Sequence, residues 1–331
     1  MTGAELAGLS NGLLYSAMAV YAVAMVCYAA ELAFSSGPRR AGGRVLDEAI
    51  AAHLVTAGSA GPSPTYAEDH PAATVTAPGG GGETAGRVAV SLTVLAFLLH
   101  LGSVLARGLA AERVPWGNMF EFSVTAALAV TGVFLAMLTR RDVRYLGTFV
   151  VLPVLLTLGL AVAVLYTEAA QLVPALKSVW LVIHVAAAIV ATAIFTIAFA
   201  QTICFLVQER RERVPAADRA PSLLDRFPTA AALDRASYRT HAFGYPVWIF
   251  AVVAGAIWAE NAWSRYWGWD PKEVWAFITF LVYTAYLHAR ATAGWRGRKA
   301  AYVALAGYAT ILFNYFVVNL FVDGFHSYSG L

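Results

Sequence analysis

Five tryptophans, Trp258, Trp263, Trp267, Trp269 and Trp275, fall within 18 residues, interleaved with Arg265, Asp270, Lys272 and Glu273. Seven histidines (His53, His70, His100, His184, His241, His288 and His326) are scattered along the same chain. Indole faces stack on flat ligands, imidazole binds transition metals, and a cationic side chain beside them takes an acidic group at a ligand's edge. Arg265 or Lys272 would supply that cation. Part of the pattern needs no ligand. Trp and Tyr collect at membrane–water interfaces as an aromatic belt. "DPKE" also reads as a helix start, with Asp270 as cap, Pro271 at the first helical position and Glu273 completing a capping box. Neither accounts for so many rings in so short a segment, and a platform for a large, flat, amphipathic ligand does.

The elements that must carry these residues are membrane helices. The 331 residues are 59% hydrophobic and 13% charged, with a mean hydropathy of +0.63. Soluble domains carry about 25% charge, so the composition predicts an all-α, polytopic membrane helix bundle. Eight apolar runs are long enough to cross ~30 Å of hydrocarbon: near 11–34, 88–106, 119–138, 145–166, 179–207, 244–261, 274–290 and 300–322. The first lacks the basic flank and small-residue cleavage site of a signal peptide. Residues 35–87, with "GPSP" and "APGGGG", read as a Pro/Gly-rich linker in which "RVLDEAIAAHLVTAG" is a candidate surface helix. Residues 1–34 then form a first transmembrane helix and 88–331 the main bundle. Cys27 and Cys204 lie in apolar runs and form no CxxC pair.

Lys and Arg concentrate on the cytoplasmic side of membrane proteins. With both termini outside, 18 of the 23 fall inside, and only Arg107, Arg113, Lys177, Arg265 and Lys272 fall outside. The Trp-rich segment is then an outer one. On this topology His184 lies ~9 Å below the outer surface, and His326 follows the last span on the same side. Two histidines from different helices beside an aromatic shelf are what a haem iron needs for two axial ligands. His288, in "YLHAR", lies near the inner end of its span, too deep to join them. His241 opens span six on the inner side; His100 is intramembrane; His53 and His70 lie in the linker.

"WAENAWSRYWGWDPKEVWAFITFLVYTAYLHAR" (258–290) resembles the Trp-rich WWD signature of the haem-handling proteins of cytochrome c assembly. "VPWGNMFEF" (114–122), "WLVIHV" (180–185) and "GFHSYSG" (324–330) are similar to the CcsA/ResC family of the system II pathway. The resemblance spans about residues 88–330. It implies a haem-delivering subunit of a holocytochrome c synthase, with haem b as bound ligand and substrate. His184 and His326 match the two external haem-iron ligands, and His288 matches the intramembrane one. Trp258, Trp263, Trp267, Trp269, Asp270 and Trp275 belong to the haem-binding segment. It further implies a CcsB/ResB-type membrane partner supplying the other inner ligand, an apocytochrome c bearing CxxCH, a thiol-reducing protein, and residence in the bacterial cytoplasmic membrane. No nucleic acid is expected. No side chain of this chain need act as a nucleophile, since proximity and orientation carry most of the gain; Asp270 and Glu273 are candidates for proton transfer to the vinyls as well as for capping.

Two other readings are open to the residues alone. Di-haem electron-transfer bundles often carry two histidines about 13 residues apart on one helix, and no span here carries such a pair. A non-haem transporter with a ring-lined path would lack a haem absorption spectrum.

Overall fold

The computed structural model describes residues 1–34, 81–169 and 177–326. Among them the long helices are α1 (Gly3–Phe34), α2 (Gly81–Ala111), α3 (Met119–Leu138), α4 (Gly147–Ala163), α5 (Val179–Glu212), α6 (Ala230–Trp263), α7 (Pro271–Ala291) and α8 (Arg298–Leu312). A π-helical turn, Phe313–Val318, continues α8 into the short α9, Asn319–Phe321. No strand occurs among the described residues. The fold is the expected all-α membrane bundle.

Seven of these segments are long and apolar enough to cross a membrane; Pro271–Ala291 is not among them. Its 21 residues include Lys272 and Glu273 in the first turn and Arg290 in the last, which dilute the apolar run read from the sequence. The helices also outrun the expected spans. α5 and α6 have 34 residues each, or about 51 Å of helix, against ~30 Å of hydrocarbon. An apolar run reports only the part of a helix that lies in lipid, whereas helix formation continues into polar flanks until a cap or a turn stops it. For the same reason α2 begins at Gly81, inside the stretch read as linker. Residues 35–80, with the candidate surface helix, His53 and His70, lie outside the described residues.

α1 packs along α2, α5 along α6, and α7 against α8, while α3 joins α4 and α5. Small residues let the backbones approach: Ala251 and Gly255 on α6 lie against His184 of α5, where Ala187 and Ala191 are buried. Large apolar side chains on the other faces, such as Phe243, Phe250 and Val253, stay exposed, as lipid-facing residues do.

Candidate functional site

The α2–α3 loop, the start of α5, the end of α6, the start of α7 and the α8–α9 region meet at one end of the bundle. Between them lies a cavity of about 230 Å³. His184 and His326 both line it, with Trp258, Trp263 and Trp267.

His184 is placed by two helix faces. Ser178 caps α5, its Oγ accepting from the Trp180 N–H at 3.2 Å. Ala251, Gly255 and Trp258, spaced by four and three residues, share one face of α6. The His184 Nδ1–H donates to the Ala251 carbonyl at 2.7 Å. The ring lies parallel to Trp258, with centroids 6.2 Å apart and planes within 8°. A Cβ on Gly255 would stand 2.7 Å from His184 Cε1 and Nδ1, so the missing side chain makes the room. A carbonyl only accepts, which fixes the proton on Nδ1 and leaves Nε2 as the ring's donor atom for a metal.

His326 is held by a carboxylate. Its Nδ1 lies 2.8 Å from Asp270 Oδ2, with the two side chains 21% and 2% exposed. Asp270 Oδ1 accepts from the Phe325 N–H at 2.6 Å, and Oδ2 also accepts from the Lys272 N–H at 3.2 Å. Asp270 is at once the N-cap of α7 in a capping box with Glu273, with Pro271 at the helix start, as the sequence predicts. Gly324 permits the approach, because a Cβ there would stand 2.5 Å from Asp270 Oδ1. Trp258 and Trp263 meet His326 edge-on, at 5.8 and 5.2 Å. Burial pushes the His326 imidazole below its ordinary 6.5, against the opposing pull of Asp270. Burial also pushes the Asp270 carboxyl up, but the bonds from His326 and Phe325 hold it below the usual carboxylate range.

The other expected residues divide. Trp269 is 68% exposed, outside the cavity, and touches Trp267 edge-on at 6.0 Å. Its φ of 59° is left-handed, an uncommon conformation for a bulky residue. Trp275 packs on Phe313 at 4.0 Å and does not line the cavity. Of the two candidate cations, Lys272 lines it, whereas Arg265 pairs with Glu273 at 3.4 Å and lies over Phe325 and Trp263. His288 is exposed in the last turn of α7, apart from the cavity. His241 is buried among Phe195, Tyr283 and Tyr286, its Nδ1 bonded to the Ser237 carbonyl. His100 is buried against Tyr21.

The stretch "VPWGNMFEF" shows no periodicity or spacing that would place its residues; the fold does. Trp116, Asn118 and Phe122 line the cavity. Their loop is tied down by Glu121, whose fully buried carboxylate accepts from Arg107 Nε at 3.1 Å, Arg113 Nη1 at 2.6 Å and the Gly117 N–H at 2.9 Å. The two arginines counted as outer charges are thus structural. The π-helical turn, which no apolar run foretells, brings Asn314 and Tyr315 to the cavity, with Asn319 just beyond it.

Residues 87–326 match the family model described as Cytochrome C assembly protein. The chain belongs to that family, as a CcsA-type member. The cytochrome c biogenesis protein CcsA of Synechocystis sp. is 32% identical over 274 residues, covering 67% of this chain and 82% of that protein. CcsA of Gloeothece citriformis is 34% identical over 289 residues, covering 73% and 87%. CcsA of Chlamydomonas reinhardtii is 35% identical over 237 residues, covering 70% and 65%. Among solved structures, the cytochrome c heme lyase CcmF shares the fold with a TM-score of 0.62 at 16% identity. That match covers 96% of this chain and 47% of CcmF, so the chain spans about half the length of that protein. As a cytochrome c assembly family member, this multi-pass membrane protein serves cytochrome c biogenesis. The family match runs from the middle of the first turns of α2 to His326, which takes in every element lining the cavity.

Proposed function

We propose that the chain holds haem b in the Trp-lined cavity, with His184 and His326 as axial ligands, and presents it for thioether attachment to an apocytochrome c. The observation that carries this reading is the convergence of two histidines, from α5 and from the segment after α9, on one aromatic cavity, each with Nδ1 bonded to an acceptor. Metal-binding imidazoles are held in this way, with the ring nitrogen away from the metal donating to a carbonyl or carboxylate. Neutral nitrogen donors in an apolar, ring-lined space fit an iron porphyrin.

Bound haem supplies the vinyl groups. Each thioether forms by adding a thiol's sulfur and hydrogen across one vinyl C=C bond, so no oxidant or reductant is consumed. The chain's own residues orient and shield. Ala251 and Asp270 fix the two rings, the indoles exclude water, and no nucleophile is required. Exchange of one ligand for the histidine of CxxCH brings the thiols to the vinyls, where proximity carries the rate. The Lys and Arg distribution supports a cavity on the outer face of a bacterial cytoplasmic membrane, with both termini outside. A CcsB/ResB-type subunit completes the synthase, with a thiol-reducing protein keeping the substrate cysteines reduced. Synthase activity also fits the fold shared with a heme lyase.

The test is holocytochrome c formation, with absorption spectra of the purified protein. His184→Ala and His326→Ala should each abolish formation while the protein still inserts, and added imidazole should restore part of it. Normal cytochrome c in either variant would sink the assignment.

A further inference from the structure

We infer that Lys272 is the residue that selects a carboxylate-bearing porphyrin and sets its orientation in the cavity. The inference rests on the proposed haem reading and deepens it.

Lys272 is a half-buried cation on the cavity wall. Among the described residues no carboxylate forms an ion pair with its ammonium, and its hydrogen-bond partner is a neutral amide, Asn319 Oδ1. The neighbouring acids are committed elsewhere. Glu273 accepts from the Gly268 N–H at 2.8 Å, the Asp270 N–H at 3.1 Å and Arg265 at 3.4 Å. Asp270 is taken up by His326, Phe325 and the backbone of Lys272 itself. The Asp270 carboxylate acts on this ammonium through space without pairing with it directly, and an ammonium withdrawn from water without a directly bonded anion is costly; here it faces a cavity that also holds two metal-binding imidazoles.

The surrounding amides are arranged for the same purpose. Asn319 Nδ2 donates to the Tyr315 carbonyl at 2.7 Å, which turns its oxygen to the ammonium. Asn314 Nδ2 donates to the Lys272 carbonyl at 3.3 Å, fixing the backbone from which the side chain springs. Both asparagines come from the π-helical region, a local widening that often marks functional sites. An ammonium has three donors, so two remain for a ligand after Asn319. A ligand satisfying both ends carries a metal at the imidazoles and an anion at Lys272. A metalloporphyrin with carboxylate side chains does so, and its vinyl edge, opposite the carboxylates, is thereby turned away from Lys272.

The test compares iron mesoporphyrin with its dimethyl ester, titrated into the purified full chain in detergent and followed by the bis-imidazole absorption bands. Wild type should bind the diester about tenfold to a hundredfold more weakly, the loss of a charge-assisted hydrogen bond. Lys272→Met should bind both forms alike, and Lys272→Arg should keep the preference for the diacid. Equal affinities for the two porphyrins in wild type would overturn the inference while leaving haem ligation standing. If neither porphyrin gave bis-imidazole bands in wild type, the haem reading itself would fall. Should Lys272→Met not accumulate, Lys272→Gln takes its place, and a Lys272→Gln chain that keeps the wild-type preference for the diacid would overturn the inference.

Discussion

An ionised carboxylate offers about four lone-pair sites, and Asp270 uses its two oxygens to hold three donors on two elements: the Lys272 N–H, the Phe325 N–H and His326 Nδ1. Capping and a role in the site are therefore one function of one side chain. Asn caps a helix nearly as well as Asp, but its single oxygen cannot serve all three donors. Asp270→Asn should therefore cost about 1.5–3 kcal/mol of haem affinity, roughly tenfold or more, read by titration of the purified protein. A pH series checks the cause. The folded His326 lies below its ordinary 6.5, so on acidification an unfolded chain takes up the proton first. Its contribution to stability is complete above about 6.5 and is lost as pH falls towards the folded value. Haem affinity should follow the same window, because the proton competes with iron for Nε2. Since Asp270 pulls the His326 value upward, Asp270→Asn should move the pH of half-maximal affinity further down even as it weakens binding at neutral pH.

At the level of elements, the α5–α6 pair makes the His184 side of the cavity, and its tolerance is set by glycine. Gly255→Ala would press a methyl against His184 at 2.7 Å, and overpacking of this kind costs about 1–3 kcal/mol. Gly244→Ala is the comparison, because its Cβ would meet Ile194 at 2.9 Å on the same helix pair. Both variants should lower thermal stability, and Gly255→Ala alone should also alter the haem ligation spectrum. The α2–α3 loop depends on Glu121. Glu121→Gln leaves Arg107 and Arg113 without their anion, and breaking a buried pair costs about 3–5 kcal/mol. A lower apparent melting temperature together with loss of haem would show that the network holds Trp116 over the cavity; unchanged haem content would show that it does not. These elements were unequally legible. Long apolar runs announced the helices, and "DPKE" announced the start of α7, because each signal is local. The Glu121 network joins residues up to 14 positions apart through a loop, and a π turn depends on packing rather than on any residue preference. Neither leaves a periodic trace. Trp269 and Trp275 belong to the recognised segment, yet one points away on a left-handed backbone and the other packs on Phe313, distinctions that ring counting cannot make.

Across the whole molecule, the histidines separate into two levels, as their positions along the spans suggest. His184 and His326 meet at one end, whereas His288 sits in the last turn of α7, near the Arg290–Asp234 pair, 2.7 Å long, that joins α7 to α6. The His288 ring is exposed, and no side chain of the described residues bonds to it. An exposed imidazole is open to a second chain, which fits the proposed membrane partner and a haem shared between His288 and that partner. Residue numbers fix the distance: His288 lies 17 residues beyond the start of α7, or about 25 Å of helix, so one haem cannot contact both levels. If haem passes from the inner level to the outer, His288→Ala should empty both sites in partner complexes purified from cells, while His326→Ala should empty only the outer one. Haem added directly to the purified His288→Ala chain should still load the outer cavity, since no residue lining it has changed. A His288→Ala complex that leaves cells with its outer cavity fully loaded would rule out the sequential route, while ligation by His184 and His326 would stand.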